Sequence, residues 1–111
     1  MQPSELALAD RLGDLRSRPV LLDVREGDEW RTGHRSGALH IPMDQVADRF
    51  GELDHGRLVV VVCRSGNRSD TVAEWLRGQG IDAENLEGGL KAWEAADLPL
   101  TAEDGSPGRV A

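Results

Sequence analysis

Leu58-Val59-Val60-Val61-Val62-Cys63-Arg64-Ser65-Gly66-Asn67-Arg68-Ser69 is the stretch from which the rest of the chain can be read. Its first half is an apolar, β-branched run with no polar alternation, the pattern of a strand buried on both faces, as in a parallel sheet. The run stops at the only cysteine of the chain. Small, cationic and amide-bearing residues follow, and then Thr71-Val72-Ala73-Glu74-Trp75-Leu76 spaces its apolar residues as an amphipathic helix does. The middle of the stretch is therefore expected to be a strand-to-helix turn.

At such a turn the free N–H groups of the loop and of the first helical turn favour an anion. Arg64 and Arg68 add fixed positive charge, and a thiolate beside cations or a helix N-terminus is stabilised and is a better nucleophile at neutral pH. Gly66 allows positive φ, and Asn67 tolerates left-handed geometry, so the backbone can curl around the sulfur. A small buried cysteine ending a strand is the plainer reading of a lone thiol. The glycine and the two arginines around Cys63 favour the reactive one.

A chain of 111 residues makes one domain with a real core. A net charge of −7 argues against nucleic acid and anionic membrane surfaces as partners, since both need a basic footprint. The basic loop stands out against that acidic background. The N-terminal Met1-Gln2-Pro3-Ser4-Glu5 lacks a basic start followed by an apolar run, and no apolar stretch approaches membrane-spanning length, so a cytoplasmic location is the expectation. With a single cysteine there is no internal disulfide and no Cys-x-x-Cys pair, so an oxidised form of Cys63 must be resolved by an outside molecule.

Ahead of the central stretch, Pro3-Ser4-Glu5 followed by Leu6, Ala9, Leu12 and Leu15 reads as a capped amphipathic helix ending within residues 13–18. Pro19-Val20-Leu21-Leu22-Asp23-Val24 reads as a buried strand with Asp23 near its C-terminal end. In open α/β sheets ligands bind beyond those strand ends, which places Asp23 and Arg25 near the Cys63 loop. Asp23 is expected to tie down a loop arginine, since buried charges are normally paired, and Arg68 is the candidate. Residues 26–35 suggest a helical turn between loops, 38–41 a short strand stopped by Pro42, and 44–50 a helix closing at Gly51. Behind the loop, the helix ends at Gly78-Gln79-Gly80, 81–86 returns as a strand, and Gly88-Gly89 turns into a last helix over 90–96. The fold class is thus α/β, a central parallel sheet with helices on both faces, in a domain of residues 1–100. Residues 101–111, small, polar and Gly/Pro-containing, are expected to be a disordered and dispensable tail.

The other chemistry-bearing residues carry less. His34, His40 and His55 lack metal-ligand spacing and have no cysteine pair beside them, so no metal and no cofactor is expected. Trp30, Trp75 and Trp93 sit at amphipathic positions and read as core rather than as a stacking platform for bases. Ser65 and Ser69 lack a histidine base, which argues against a serine hydrolase. Gly66 belongs to no Gly-x-Gly-x-x-Gly or Walker pattern.

The strand, cysteine, short Arg/Gly/Ser loop and helix resemble the active-site loop of the rhodanese (thiosulfate sulfurtransferase) family. Leu21-Leu22-Asp23-Val24-Arg25-Glu26 resembles that family's "DVR" strand end, and Gly33-His34-Arg35-Ser36-Gly37-Ala38-Leu39-His40-Ile41-Pro42 its "GHIxGAxxIP" segment. Asn85-Leu86-Glu87-Gly88-Gly89-Leu90-Lys91-Ala92-Trp93 resembles its closing "xLxGGxxxW" segment. In family order, these motifs span residues 20–99. The resemblance implies a rhodanese-like fold and an enzyme in which the Cys63 thiolate takes a sulfane sulfur from a small anionic donor and passes it to a thiol, to cyanide or to a sulfur-accepting protein. Arg64, Ser65, Gly66, Asn67, Arg68 and Ser69 would bind the donor and the persulfide, with Asp23 and Arg25 in support. In the two-domain thiosulfate enzymes a basic residue precedes the aromatic after "DVR"; this chain has Glu29 before Trp30, which points to weaker use of thiosulfate and to a persulfide donor as the alternative.

Two other readings stand beside this one. Cysteine-dependent phosphatases and the similarly built arsenate reductases use Cys-x5-Arg, whereas Cys63 and Arg68 enclose only residues 64–67, a tighter ring suited to sulfur. Many rhodanese-like domains are idle modules without the cysteine. Its presence here favours activity, with sulfur relay or binding for a partner enzyme as the remaining alternative.

Overall fold

The structure is a computed structural model and describes residues 1–12 and 18–111. Its elements run α1 (Pro3–Leu12), β1 (Val20–Asp23), α2 (Gly27–Thr32), β2 (Leu39–His40), α3 (Val46–Arg49), β3 (Val59–Val62), α4 (Asn67–Gly78), β4 (Ala83–Asn85) and α5 (Gly89–Ala95). The strands form one four-stranded sheet of order β2-β1-β3-β4, with every pairing parallel.

The unbroken valine run of β3 has the burial its pattern requires. Val59 and Val61 pack on one side of the sheet with Val46 of α3 and with Val72, Ala73 and Leu76 of α4. Val60 and Val62 pack on the other with Leu6 of α1 and with Leu90 and Trp93 of α5. A strand covered on both sides gains nothing from alternation, so all four valines are fully buried, each contributing roughly 1.5–3 kcal/mol relative to exposure. Helices therefore cover both faces, as the βα alternation predicts.

Several local expectations are refined. Instead of one helix over 44–50, the chain forms only a single α turn, α3, between 3₁₀ turns at Met43–Gln45 and Phe50–Glu52, closed by bonds such as Gln45 N–H to the Pro42 carbonyl. The first helix is described to Leu12, which is exposed, while Leu6 is its buried anchor; Leu15 and the expected end of this helix lie outside the described residues. Of the tryptophans only Trp93 is core. Trp30 is half-buried, its ring stacked with those of His34 and His40, at centroid distances of 3.6 and 4.7 Å. Trp75 is 37% exposed, because the buried stripe of α4 runs through Val72, Ala73 and Leu76, and its ring meets Phe50 edge-on instead.

Residues 101–111, expected as a disordered tail, are instead packed. Thr101 forms antiparallel bridges with His34 and with Pro107, and the Arg109 N–H donates to the Thr32 carbonyl. Val110 is buried in the α1/α5 side of the core, and its N–H donates to the Glu94 carboxylate at 2.9 Å. The close approach depends on Gly33, where a Cβ would come within 2.4 Å of the Arg109 carbonyl oxygen. The segment's polar composition conceals one buried valine and the backbone bridges that hold it.

Candidate active site

The carboxyl ends of three neighbouring strands bring the site together: Asp23 ends β1, Val62 delivers Cys63 from β3, and Asn85 ends β4. Immediately after Cys63 the chain turns at Gly66, whose φ of 107° is left-handed backbone that favours glycine, and α4 begins at Asn67. The helix thus starts earlier than the apolar spacing of 71–76 suggests, and Asn67, Arg68 and Ser69 form its first turn.

Cys63 is 1% exposed. Its Sγ accepts the Gly66 N–H at 3.1 Å and lies 3.2 Å from the Ser69 Oγ. Burial alone pushes the thiol up, but hydrogen bonds from the Ser69 hydroxyl and from the Ser69, Gly66 and Ser65 amides together outweigh it, so the thiol titrates below its ordinary value. Among these donors the Ser69 hydroxyl has the largest effect, ahead of the three amides, whereas sequence reasoning looked to the loop amides and the two arginines.

The loop is braced from outside. Gly88 and Gly89 both have positive φ, and the start of α5 packs directly on the backbone behind the sulfur. The Leu90 and Lys91 N–H groups donate to the Cys63 and Arg64 carbonyls, at 2.9 Å each. A Cβ on Gly89 would come within 2.6 Å of both carbonyl oxygens. Because those carbonyls are bonded by α5, the loop's amides are left for the sulfur.

The other expected residues divide. Arg68 is half-buried and grips Glu29 of α2 with both terminal nitrogens, at 2.8 and 2.9 Å. Hydrogen bonding from Arg68 holds the Glu29 carboxyl at about 2, well below its usual range. Asp23 does not hold Arg68, contrary to expectation. Its partner is the fully buried Arg25, whose Nε and Nη2 reach both carboxylate oxygens, and whose guanidinium also donates to the Glu29 and Gly33 carbonyls. The Asp23–Arg25 pair therefore stations the α2 segment that carries Glu29. Exposed Arg64 directs its Nε to the Ala111 carbonyl at 2.9 Å, tying the loop to the C-terminal segment. Ser65 and Asn67 are exposed at the rim.

Sequence reasoning missed Asn85. Its Nδ2 donates to the Gly66 carbonyl at 3.1 Å, and its Oδ1 lies 2.5 Å from the Ser69 Oγ. The available signal was a polar residue ending a parallel strand, the position where α/β sheets place ligand contacts. Among the described residues, no group of three or more His, Cys, Asp or Glu could hold a metal, and no helix is long and apolar enough to cross a membrane.

A buried thiol inside a ring of inward-pointing amides, at the end of the central strand of a parallel sheet, defines a class of α/β proteins with a cysteine-centred anion loop. Within that class the chain belongs to the rhodanese-like domain family, which matches it over residues 6–96. It is 37% identical over 100 residues to a sulfurtransferase of Allochromatium vinosum, covering 89% of this chain and 92% of that one. It is 36% identical over 78 residues to the thiosulfate sulfurtransferase GlpE of Shewanella oneidensis, covering 69% of this chain and 77% of that one. Among solved structures, a rhodanese-related protein from Thermoplasma volcanium superposes with a TM-score of 0.84 at 25% identity, covering 93% of this chain and 97% of that one. Both curated relatives are named for sulfur transfer, and a general sulfurtransferase role is what this likeness supports.

Proposed function

We propose that this protein is a rhodanese-type sulfurtransferase working through a persulfide on Cys63. The observation that carries the reading is the hydrogen bonding of Sγ, with the Gly66 N–H and the Ser69 hydroxyl directed at a sulfur whose ionised form they favour. The thiolate attacks the outer sulfur of thiosulfate or of a persulfide donor. A new S–S bond forms on Cys63, the donor's S–S bond breaks, and sulfite or a thiolate leaves with the electron pair. The terminal sulfur then carries the negative charge, which the amides of residues 64–69 stabilise as an oxyanion hole does. In the second step a thiolate or cyanide attacks that terminal sulfur, and the Cys63 thiolate leaves. The covalent intermediate splits one hard transfer into two easier ones.

The short loop supports sulfur over phosphate as cargo, since α4 already begins at Asn67 and the ring around Sγ is small. The thiosulfate sulfurtransferase of Shewanella oneidensis supports thiosulfate as one donor. The engagement of Arg68 by Glu29 supports a donor of lower charge as the better one. The acceptor is a small thiol, cyanide or a sulfur-accepting protein, and a reducing cytoplasm suits a working thiolate with no partner cysteine in the chain.

Intact mass after incubation with thiosulfate or a persulfide donor tests the proposal. The expected result is a gain of about one sulfur atom, removed by cyanide or reductant and absent in Cys63→Ser. A gain retained in Cys63→Ser would overturn it, as would no gain with either donor together with Cys63-dependent hydrolysis of an aryl phosphate.

A further inference from the structure

Ser69 stands between two acceptors and has one proton. Its Oγ is 3.2 Å from the Cys63 Sγ and 2.5 Å from the Asn85 Oδ1, while a hydroxyl can donate to only one of them at a time. The orientation of the Asn85 amide is not free. Its Nδ2 donates to the Gly66 carbonyl, and the flipped amide would set two oxygens against each other there. Since Gly66 also donates its N–H to Sγ, the side chains and loop backbone close a ring: Sγ, Gly66, Asn85, Ser69 and back to Sγ. Ser69 is fully buried, so no solvent replaces a bond that its hydroxyl loses, while Asn85 is half-buried.

We propose that Asn85 is a positioning residue of the Cys63 site, which sets the sulfur's readiness to react by competing for the Ser69 proton. In the thiol form, S–H donates to the Ser69 Oγ and the Ser69 O–H donates to the Asn85 Oδ1, so every group is satisfied. When the thiol proton leaves, the Ser69 O–H turns to the thiolate and Asn85 gives up its donor. When the sulfur becomes a persulfide, the charge moves to the terminal sulfur, and the Ser69 proton returns to Asn85. The amide is the resting place of that proton. It holds the thiol back from full ionisation and takes up the hydroxyl each time charge leaves Sγ.

The other charged groups around the sulfur come from each element that packs here. Arg64 and Arg68 belong to the loop and α4, Glu26 and Glu29 to the α2 segment, the Asp23–Arg25 pair ends β1, and Lys91 lies on α5. None of these is altered by the substitutions below, so they form a common background.

The role rests on Cys63 being the nucleophile, but its test reads the thiolate directly. The rate of Cys63 alkylation by iodoacetamide is measured against pH for the parent, Asn85→Leu, Ser69→Ala and the double variant. Asn85→Leu is expected to move the midpoint down by about 0.5 pH unit, roughly a threefold gain in thiolate below it, the scale of one competing hydrogen bond. Ser69→Ala is expected to move it up, and adding Asn85→Leu to Ser69→Ala is expected to leave it there. An equal displacement by Asn85→Leu in both backgrounds would overturn the proposal, because a purely structural support of the Gly66 carbonyl needs no Ser69. A Ser69-dependent displacement to higher pH would overturn it as well. Asn85→Ala replaces Asn85→Leu if the larger side chain prevents folding, with the same readings. Failure of the persulfide assay with a Ser69-dependent shift intact would remove the sulfurtransferase reading alone.

Discussion

Arg68 and Glu29, separated by 39 residues in sequence, are joined by two parallel hydrogen bonds at 2.8 and 2.9 Å beside the Cys63 loop. The pair couples the first turn of α4 to α2, and it neutralises the Arg68 charge beside the loop. Any anionic donor that uses Arg68 must share it with, or take it from, a carboxylate already in place.

Glu29→Gln removes that competitor. The expected outcome is a KM for thiosulfate lower by roughly two- to fivefold, the scale of one partly exposed ion pair, with a smaller change for a singly charged persulfide donor. Steady-state kinetics with both donors checks it. Equal changes for the two would show that Glu29 acts on the loop's shape rather than on donor charge.

The same pair has a pH signature. Glu29 is lowered in the fold from 4.5 to about 2, so its contribution to stability is complete above the ordinary carboxyl value and is lost as pH falls through that window. Denaturant unfolding of parent and Glu29→Gln at a series of pH values should show their stability difference shrinking between pH 4.5 and about 2. A difference constant across that range would contradict the assignment.

Gly89→Ala should disable the site from behind. The new methyl group would meet the Cys63 and Arg64 carbonyl oxygens at 2.6 Å, and the φ of 62° is already unfavourable for a side chain. A loss of about 1–3 kcal/mol in stability is expected, together with slower Cys63 alkylation at neutral pH, because the loop amides lose their aim at the sulfur. Gly78→Ala is the control: on the helical backbone of α4 its Cβ meets no neighbouring element, so stability should hold or rise by about 0.5–1 kcal/mol and alkylation should not change.

Arg25→Met leaves the Asp23 carboxylate buried and unpaired, which should cost about 3–5 kcal/mol. It also frees the Glu29 and Gly33 carbonyls, so the α2 segment should exchange its amides faster than the sheet does. Hydrogen exchange read by mass spectrometry distinguishes this local release from uniform weakening.

Gly33→Ala should unseat the C-terminal segment, since its Cβ would overlap the Arg109 backbone, while the extended φ of 172° at Gly33 itself suits any residue. Faster proteolysis within residues 101–111 and a lower Tm are expected. A segment as protected as in the parent would show that Val110 and the Thr101 bridges suffice to hold it.

Much of this protein is legible in one dimension. Four consecutive valines require a strand covered on both sides, the cysteine marks where that strand ends, and Gly66 requires a turn there; those features set the α/β class and the place of the thiol. Each depends on backbone preferences or hydrophobic periodicity, which act over a few residues and are therefore written locally. Which groups meet around the thiol was settled by packing. Asp23 faces Arg25 rather than Arg68, Arg68 faces Glu29, Asn85 reaches Ser69 from the next strand, and Val110 closes over α5 within a segment that composition alone marks as loose. Charged and amide side chains can pair with many partners, and their choice follows from where the sheet order and the helix faces bring them. Only the assembled sheet places the ends of β1, β3 and β4 side by side, and so only the tertiary structure decides which residues surround the sulfur.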